Sequence, residues 1–296
     1  MSNGIQRIPK LPDEIRDAVD KGTLAVFIGA GVSRLVDCQG WDTLAKSLVN
    51  RCHLEGIITF KESETLSQIT DHKKTITICF HLFEKKSRAD AFYEEMNKAL
   101  NEGVDHIPNI YDDIYRLRGI FITTNADSHF DRLFNPPNIL YRSSDFRANS
   151  LDSTNLYHIH GSVRDRESLI FTVPKYIQRY TQDKEFKSFL SRIFGEYTVL
   201  FLGYGLAEFE ILDFIVRDTP RTPLHFMLSP FYSGEDNILD YEQSYYDDLH
   251  IKILGYEKDK NGYRQLIEVI KHWNEEITQL TTYLHSASRL IDEAVE

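Results

Sequence analysis

One stretch near the start of the chain limits the possible folds more than any other: residues 24–34 are "LAVFIGAGVSR". Five apolar residues run directly into Gly29, Ala30 and Gly31, and Ser33 follows two positions later. An uninterrupted apolar run is typical of a strand that is covered on both faces. Glycines that follow such a strand form either a tight turn or a backbone that approaches a phosphate closely.

The glycine pattern does not decide between these two alternatives. The dinucleotide-binding fingerprint G-x-G-x-x-G has a third glycine, and this chain has Arg34 at that position. Arg34 is either a solvated side chain or an additional charge for a phosphate. The remaining motifs therefore have to decide what the turn is for.

Strand-like and helix-like segments alternate along the chain. Apolar runs that predict strands lie at 23–31, 119–125, 156–161, 168–172, 197–205, 223–229 and 250–256. Helical spacing predicts helices between most of them, including 127–134, 174–180 and 262–284. This alternation predicts an α/β, Rossmann-like, mostly parallel sheet with helices on both faces.

Residues 57–118 have helical spacing without a strong strand signal, which predicts a helical insertion between the first two strands. No repeat, low-complexity segment or Gly-Ser-Pro linker divides the chain. We therefore predict a single domain over residues 1–296, within the size range of one large domain.

Four of the predicted strands end in small or chemically active residues, as expected of open α/β sheets, which bind ligands beyond the carboxyl ends of their strands. These residues are Gly29, Ala30, Gly31 and Ser33; Thr123, Thr124, Asn125 and Asp127; His158, His160 and Gly161; and Gly203, Tyr204 and Gly205. We expect the four strand ends to converge on one edge of the sheet.

Several of these residues also have purely structural interpretations. Asp127 is as well suited to capping a helix that starts near Ser128 as to binding a ligand, whereas Asn125 has the stronger functional claim. Strand alternation places His158 and His160 on one face, where they form either a metal-binding pair or ordinary core histidines. His160, at the strand end, is the better catalytic candidate, because an unperturbed imidazole has a pKa of about 6.5. Tyr204 either stacks on a base or packs in the core.

Composition excludes several classes of protein. A formal net charge of −11 disfavours direct binding to a nucleic-acid backbone. The three cysteines form no C-x-x-C pair, so we expect no metal, and their sparse, odd number fits a reducing compartment. No long apolar run or leader-like segment occurs, which predicts a cytoplasmic protein without membrane contact. The G-x-S-x-G and G-x-x-x-x-G-K-[ST] motifs are also absent, which disfavours an α/β-hydrolase and a P-loop ATPase.

Taken together and in this order, four motifs resemble those of the sirtuin-like family of NAD-consuming enzymes. They are "FIGAGVS" (27–33), "ITTNAD" (122–127), "HIHGS" (158–162) and "FLGYGL" (201–206), with "GWDTL" (40–44) as a softer match. The resemblance implies a Rossmann-like NAD domain with a smaller inserted module.

The resemblance also implies roles for individual residues. The glycine loop from Gly29 to Ser33 would hold the NAD phosphates, and Asn125 would position the nicotinamide ribose or the attacking water. His160 would be the general base. Asp127 would support the ribose pocket, together with the neighbouring Thr124, and residues 203–205 would lie against the adenosine side.

This chain departs from the protein-deacylating sirtuins, because three cysteines cannot build their four-cysteine zinc module. It looks more like the zinc-less bacterial branch, whose members hydrolyse NAD in anti-phage defence and abortive infection. Those relatives usually have an aromatic residue where this chain has Ala126.

The predicted activity is therefore NAD hydrolysis to nicotinamide and ADP-ribose. Because such an activity drains cellular NAD, we expect control by homo-oligomerisation or by a partner such as a HerA-type ATPase, an Argonaute-like protein or a sensor domain. The alternatives are a zinc-independent deacylase, a non-catalytic module that senses NAD or ADP-ribose, and, more remotely, a Rossmann dehydrogenase.

Overall fold

The computed structural model describes residues 4–101, 107–205, 209–216 and 224–279. Within these residues, seven strands form one sheet. They are β1 (Leu24–Ile28), β2 (Ile120–Thr123), β3 (Ile139–Leu140), β4 (Leu156–His158), β5 (Thr198–Leu202), β6 (His225–Phe231) and β7 (Ile251–Glu257). Every strand pair is parallel, so the predicted α/β architecture is confirmed and the sheet is more uniform than the predicted mostly parallel one.

The strand order is β3-β4-β2-β1-β5-β6-β7. From β1 the chain continues on one side of the sheet with β2, then the edge strand β3, and then β4 between β2 and β3. It next crosses to β5 on the other side of β1. The order therefore reverses between β1 and β5. A reversal of this kind opens a crevice beyond the carboxyl ends of the two strands, and ligands of open α/β sheets bind there.

Helices cover both faces of the sheet. They are α1 (Asp13–Lys21), α2 (Ala30–Arg34), α3 (Trp41–Leu54), α4 (Phe60–Ser67), α5 (His72–Lys85), α6 (Ala89–Asn101), α7 (Ile110–Tyr115), α8 (Val173–Ile177), α9 (Lys184–Glu196), α10 (Phe209–Val216) and α11 (Asp236–Tyr246). A twelfth helix, α12, covers residues 265–279, and the rest of the predicted helix 262–284 beyond 279 lies outside the described residues. Among the described helices, none has the length and apolar character needed to cross a bilayer.

Two apolar cores lie on opposite faces of the sheet, because successive strand side chains point to opposite sides. Val26 and Ile28 belong to the core that is covered by α1, α7 and α12, and Ala25 and Phe27 belong to the core that is covered by α9 and α10. Every residue of β1 is therefore buried, which explains its continuous apolar sequence.

The helices between β1 and β2 form a third apolar cluster. Helix α3 packs on α5 and α6, with Cys52, Cys79 and Phe92 among the fully buried side chains of the cluster. Local sequence signals set the starts of two of these helices. Thr59 forms a capping box at the start of α4, and Asp71 accepts a hydrogen bond from the backbone of the first turn of α5. In the described part of 57–118 there are four helices and no strand.

Two local predictions are wrong, and one short strand was not predicted. Residues 168–172 form a buried loop, in which Leu169 and Phe171 pack against the helical cluster and Ile170 N donates to His160 O at 2.8 Å. Residues 127–134 contain only a short 3₁₀ turn (Asp131–Leu133), and the two-residue strand β3 has no sequence prediction. A run of apolar residues indicates that a segment is buried, but a packed loop can be as buried as a strand.

Candidate active site

The glycines after β1 and β5 pack backbone against backbone at the crevice. Gly29 N donates to Leu202 O at 2.9 Å, and Gly31 N donates to Gly203 O at 2.8 Å. A Cβ atom on Gly31 would lie 2.8 Å from both the Cα and the carbonyl oxygen of Gly203. Gly203 itself has a φ of 58°, in the left-handed region that favours glycine. Glycine is therefore required at these positions for a structural purpose, because it allows the loops after β1 and β5 to pack backbone against backbone.

Tyr204 and Gly205 follow this contact. The Tyr204 ring stacks on Phe201, and its centroid lies 5.2 Å from that of the Phe27 ring. Of the two alternatives for Tyr204, this is packing in the core. Gly205 is different, because no atom of the described residues lies within 4 Å of the position where its Cβ would be. Leu206, the last residue of the predicted motif, lies outside the described residues.

Gly31, Gly203, Tyr204 and Gly205 line a cavity of about 610 Å³ beyond the ends of β5, β6 and β7. Its walls are rich in tyrosine, and the tyrosines that line it are Tyr204, Tyr241, Tyr245, Tyr246, Tyr256 and Tyr263. The volume is within the range of small-molecule sites, about 300–1,000 Å³. Flat aromatic walls of this kind suit a ring such as adenine.

A second, narrower pocket of about 40 Å³ lies on the other side of the glycine loop. It brings together residues from three strand ends: Ala30 and Ser33 after β1, Thr124, Asn125 and Asp127 after β2, and His160 after β4. The opposite wall comes from the helical cluster and its flanking loops, through Trp41, Leu44, Met96, Leu100 and Phe171. Asn125 and His160, predicted from distant parts of the sequence, therefore line the same pocket.

Asn125 is held firmly beside the glycine loop. Its side chain is buried, and Nδ2 donates to the carbonyl oxygen of Gly29 at 3.0 Å. Its backbone N–H donates to Thr123 Oγ1 at 3.0 Å, and its side chain also bonds the Tyr111 hydroxyl. Thr124 continues the ladder, because its N–H donates to Ile28 O at 3.1 Å. The amide is thus oriented before any ligand arrives.

Ser33 and Asp127 face each other in the same pocket. Ser33 Oγ donates to Asp127 Oδ2 at 2.7 Å and lies 3.0 Å from the Tyr111 hydroxyl. Burial raises the pKa of Asp127 above its usual value, although the Ser33 bond and the neighbouring His129 oppose that shift. Asp127 caps no α-helix, because its Oδ1 accepts a bond from His129 N at 3.2 Å in a local turn. The alternative interpretation of Asp127 as a helix cap is therefore wrong.

His158 and His160 have different partners, because β4 ends at His158 and strand alternation does not extend to His160. His158 Nε2 lies 2.8 Å from Asp131 Oδ1, and its Nδ1 lies 2.8 Å from Asn125 O. Burial alone would lower the pKa of His158, but the hydrogen bond and charge of Asp131 raise it above its usual value. Arg164 completes the cluster at 2.6 Å from Asp131 Oδ2. His158 therefore has a structural role and supports the backbone of Asn125.

His160 contacts two tyrosines instead. Its Nε2 lies 2.7 Å from the Tyr180 hydroxyl, and the edge of its ring meets Tyr176 at a centroid distance of 5.0 Å. Tyr180 belongs to a single π-helical turn, Gln178–Gln182, that directly follows α8. Such turns occur often at functional sites. The Tyr180 bond sets the orientation of the imidazole.

Arg34 extends away from this arrangement. Its guanidinium pairs with Asp42 at 3.2 Å, and its side chain is 59% exposed. In this structure Arg34 is therefore a solvated side chain, the first of its two alternatives.

The sequence predictions did not include Tyr111, Asp131, Arg164 or Tyr180. Tyr176 and Tyr180 are four residues apart, a spacing that places two side chains on one helical face, but nothing in that spacing relates them to His160. Tyr111 lies in the predicted insertion, far along the chain from the residues that it contacts.

Comparisons with known proteins add one finding. Residues 119–254 match the family model of the SIR2-like domain. No curated protein matches the chain. The match begins at β2 and includes Asn125, His160 and the loop after β5, whereas the loop of Gly29 to Ser33 precedes it. This match confirms the resemblance to the sirtuin-like family over residues 119–254, and a SIR2-like domain indicates an NAD-related function.

Proposed function

We propose that this protein is an NAD hydrolase, which cleaves the bond between nicotinamide and ribose to give nicotinamide and ADP-ribose. One observation carries the proposal. Asn125 and His160 come from different strand ends and line one buried pocket beside the glycine loop, at the strand-order reversal. A module that only binds nucleotide needs neither a fixed carboxamide nor an imidazole at that point.

The two cavities suggest how the dinucleotide lies. In this proposal the adenosine occupies the tyrosine-walled cavity, and the nicotinamide ribose enters the narrow pocket. The glycine loop connects them, since Gly31 lines the first and Ala30 the second. The pyrophosphate would cross that loop, where the absence of side chains allows a close approach.

The reaction is a displacement at the anomeric carbon of the nicotinamide ribose. The oxygen of water forms a bond to C1′, the C1′–N bond breaks, and its electron pair neutralises the positive charge of the pyridinium ring. The proton of the water passes to the His160 imidazole, whose orientation the Tyr180 bond sets. Asn125 fixes the ribose hydroxyls or the water, so that the reacting atoms are aligned before the bond breaks.

The small volume of the narrow pocket supports the proposal that this conformation of the protein has low activity. Its volume of about 40 Å³ is far below that of sites that hold small molecules, so the wall from the helical cluster must move before a nicotinamide ring can enter. An activating partner or self-assembly would supply the free energy for that movement. This is the control that an enzyme capable of draining cellular NAD requires.

We further propose that the activity depletes NAD in the bacterial cytoplasm as part of anti-phage defence. The motif order and the lack of a four-cysteine set support this branch of the family. A HerA-type ATPase, an Argonaute-like protein, a sensor domain or a second copy of this chain would be the activator.

Product analysis tests the proposal. Purified protein is incubated with NAD, alone and with each candidate partner, and the products are separated by liquid chromatography and identified by mass spectrometry. We expect nicotinamide and ADP-ribose in equal amounts. O-acyl-ADP-ribose formed only with an acylated peptide would indicate a deacylase, and bound but intact NAD under every condition would indicate a sensing module. Either result would overturn the proposal.

A further inference from the structure

A cluster of three buried side chains lies at the narrow pocket. Two of them, Cys38 and His129, have no role in the hydrolysis described above, whereas the third, Asp127, is also the predicted ribose-pocket residue. The Cys38 thiol, an Asp127 carboxylate oxygen and a His129 ring nitrogen all lie within 4.8 Å of one another. All three residues are buried, with exposed fractions of 6%, 3% and 6%. Three different metal-ligating groups so close together are the donor set of a metal site.

The surroundings hold these groups in place. His129 N donates to Asp127 Oδ1 at 3.2 Å in the loop after β2, and Ser33 Oγ donates to Asp127 Oδ2 at 2.7 Å. Tyr111 contacts Ser33 in turn at 3.0 Å. Outer hydrogen bonds of this kind orient metal ligands and set their affinity. Cys38 Sγ donates to Leu100 O at 3.3 Å, a bond that the thiol gives up when it ionises to bind a metal.

We propose that Cys38, Asp127 and His129 form a zinc-binding site. A thiolate, an imidazole and a carboxylate together match the ligand preference of Zn²⁺, and three protein ligands leave the fourth tetrahedral position to water. The thiolate and the carboxylate carry two negative charges, which the ion balances within a buried site. Cys38 and Asp127 both line the narrow pocket, so an ion has a path to the site.

This inference goes beyond the proposed function. It does not depend on NAD cleavage, and its test uses no NAD. The other two cysteines, Cys52 and Cys79, are buried within the helical cluster and belong to a different part of the chain.

Cobalt and zinc titrations test the site. The 296-residue chain is stripped of metal with a chelator and titrated with Co²⁺, whose thiolate charge-transfer and visible bands report a cysteine ligand in a tetrahedral site. Zn²⁺ binding is measured in parallel by calorimetry. We expect one ion per chain, cobalt bands that zinc abolishes, and at least a tenfold loss of zinc affinity in both Cys38→Ser and His129→Gln.

His81→Gln is the matched control, because His81 is an exposed histidine in α5 whose Nδ1 lies 3.8 Å from Glu84 Oε2 and whose ring contacts Phe80. Thermal unfolding without metal identifies any variant that fails to fold, and zinc should raise the melting temperature of the wild type and of His81→Gln alone. Absence of the thiolate band, or equal zinc affinity in the wild type and in a folded Cys38→Ser or His129→Gln, would overturn the proposal.

Discussion

The contact between the two glycine loops makes a prediction whose size follows from the structure. In Gly31→Ala, the new Cβ would lie 2.8 Å from two backbone atoms of Gly203, whereas ordinary contacts begin near 3.4 Å. Neither backbone can rotate away as a side chain can, so overpacking should cost about 1–3 kcal/mol. Alanine's better helix propensity within α2 offsets up to about 1 kcal/mol of that cost. We therefore expect a net loss of roughly 0–3 kcal/mol in the free energy of unfolding, centred on about 1.5 kcal/mol.

Gly205→Ala is the matched control, because within the described part of the chain nothing lies within 4 Å of its Cβ position. Its free energy of unfolding should stay within about 0.5 kcal/mol of the wild type. Urea denaturation followed by circular dichroism measures both variants. A Gly31→Ala protein as stable as Gly205→Ala would refute the argument that backbone contact requires glycine at position 31. In the proposed binding mode, Gly205→Ala should instead weaken NAD binding, because its methyl group enters the tyrosine-walled cavity.

Three further predictions concern other parts of the structure. Tyr180→Phe should lower the free energy of unfolding by about 1–3 kcal/mol, because it removes the hydrogen-bond partner of the buried His160 imidazole. It should also shift the pH profile of nicotinamide release, and an unchanged profile would argue against a positioning role for Tyr180. Burial lowers the pKa of His225 from 6.5 to about 4. Between these two pH values His225 is therefore mostly neutral in the folded protein and mostly protonated in the unfolded chain. Stability should therefore fall as pH drops from 6.5 to 4, by up to about 3.4 kcal/mol in urea denaturation, and His225→Asn should lose less than the wild type over the same pH range. Saturating zinc should slow NAD cleavage in the wild type, because a cation beside Asp127 opposes the positive charge that develops on the ribose, whereas Cys38→Ser should keep its zinc-free rate; equal inhibition of both would refute this reasoning.

The sequence predicted the sheet, and the edge on which the candidate residues meet, because both depend on short-range patterns. The apolar run before Gly29 indicates a strand buried on both faces, and β1 is buried throughout. Polar residues after several such runs indicate the carboxyl edge, where Asn125 and His160 now line one pocket.

What the sequence did not predict depends on contacts between distant segments. The glycine pattern suggested a phosphate loop, but part of its cause is the backbone of Gly203, which no spacing rule identifies. The π turn that brings Tyr180 to His160 breaks the helical spacing on which prediction relies. The cluster of Cys38, Asp127 and His129 was not predicted for the same reason, because only the fold brings Cys38 close to the other two.

The central claim is that His160 acts directly on NAD. The most direct measurement compares the rate of nicotinamide release, under activating conditions, by the wild type, His160→Ala and His81→Ala. Loss of a general base should reduce the rate by about 10²–10⁴-fold in His160→Ala, while the exposed His81 leaves it unchanged. Equal rates in all three proteins would contradict the claim.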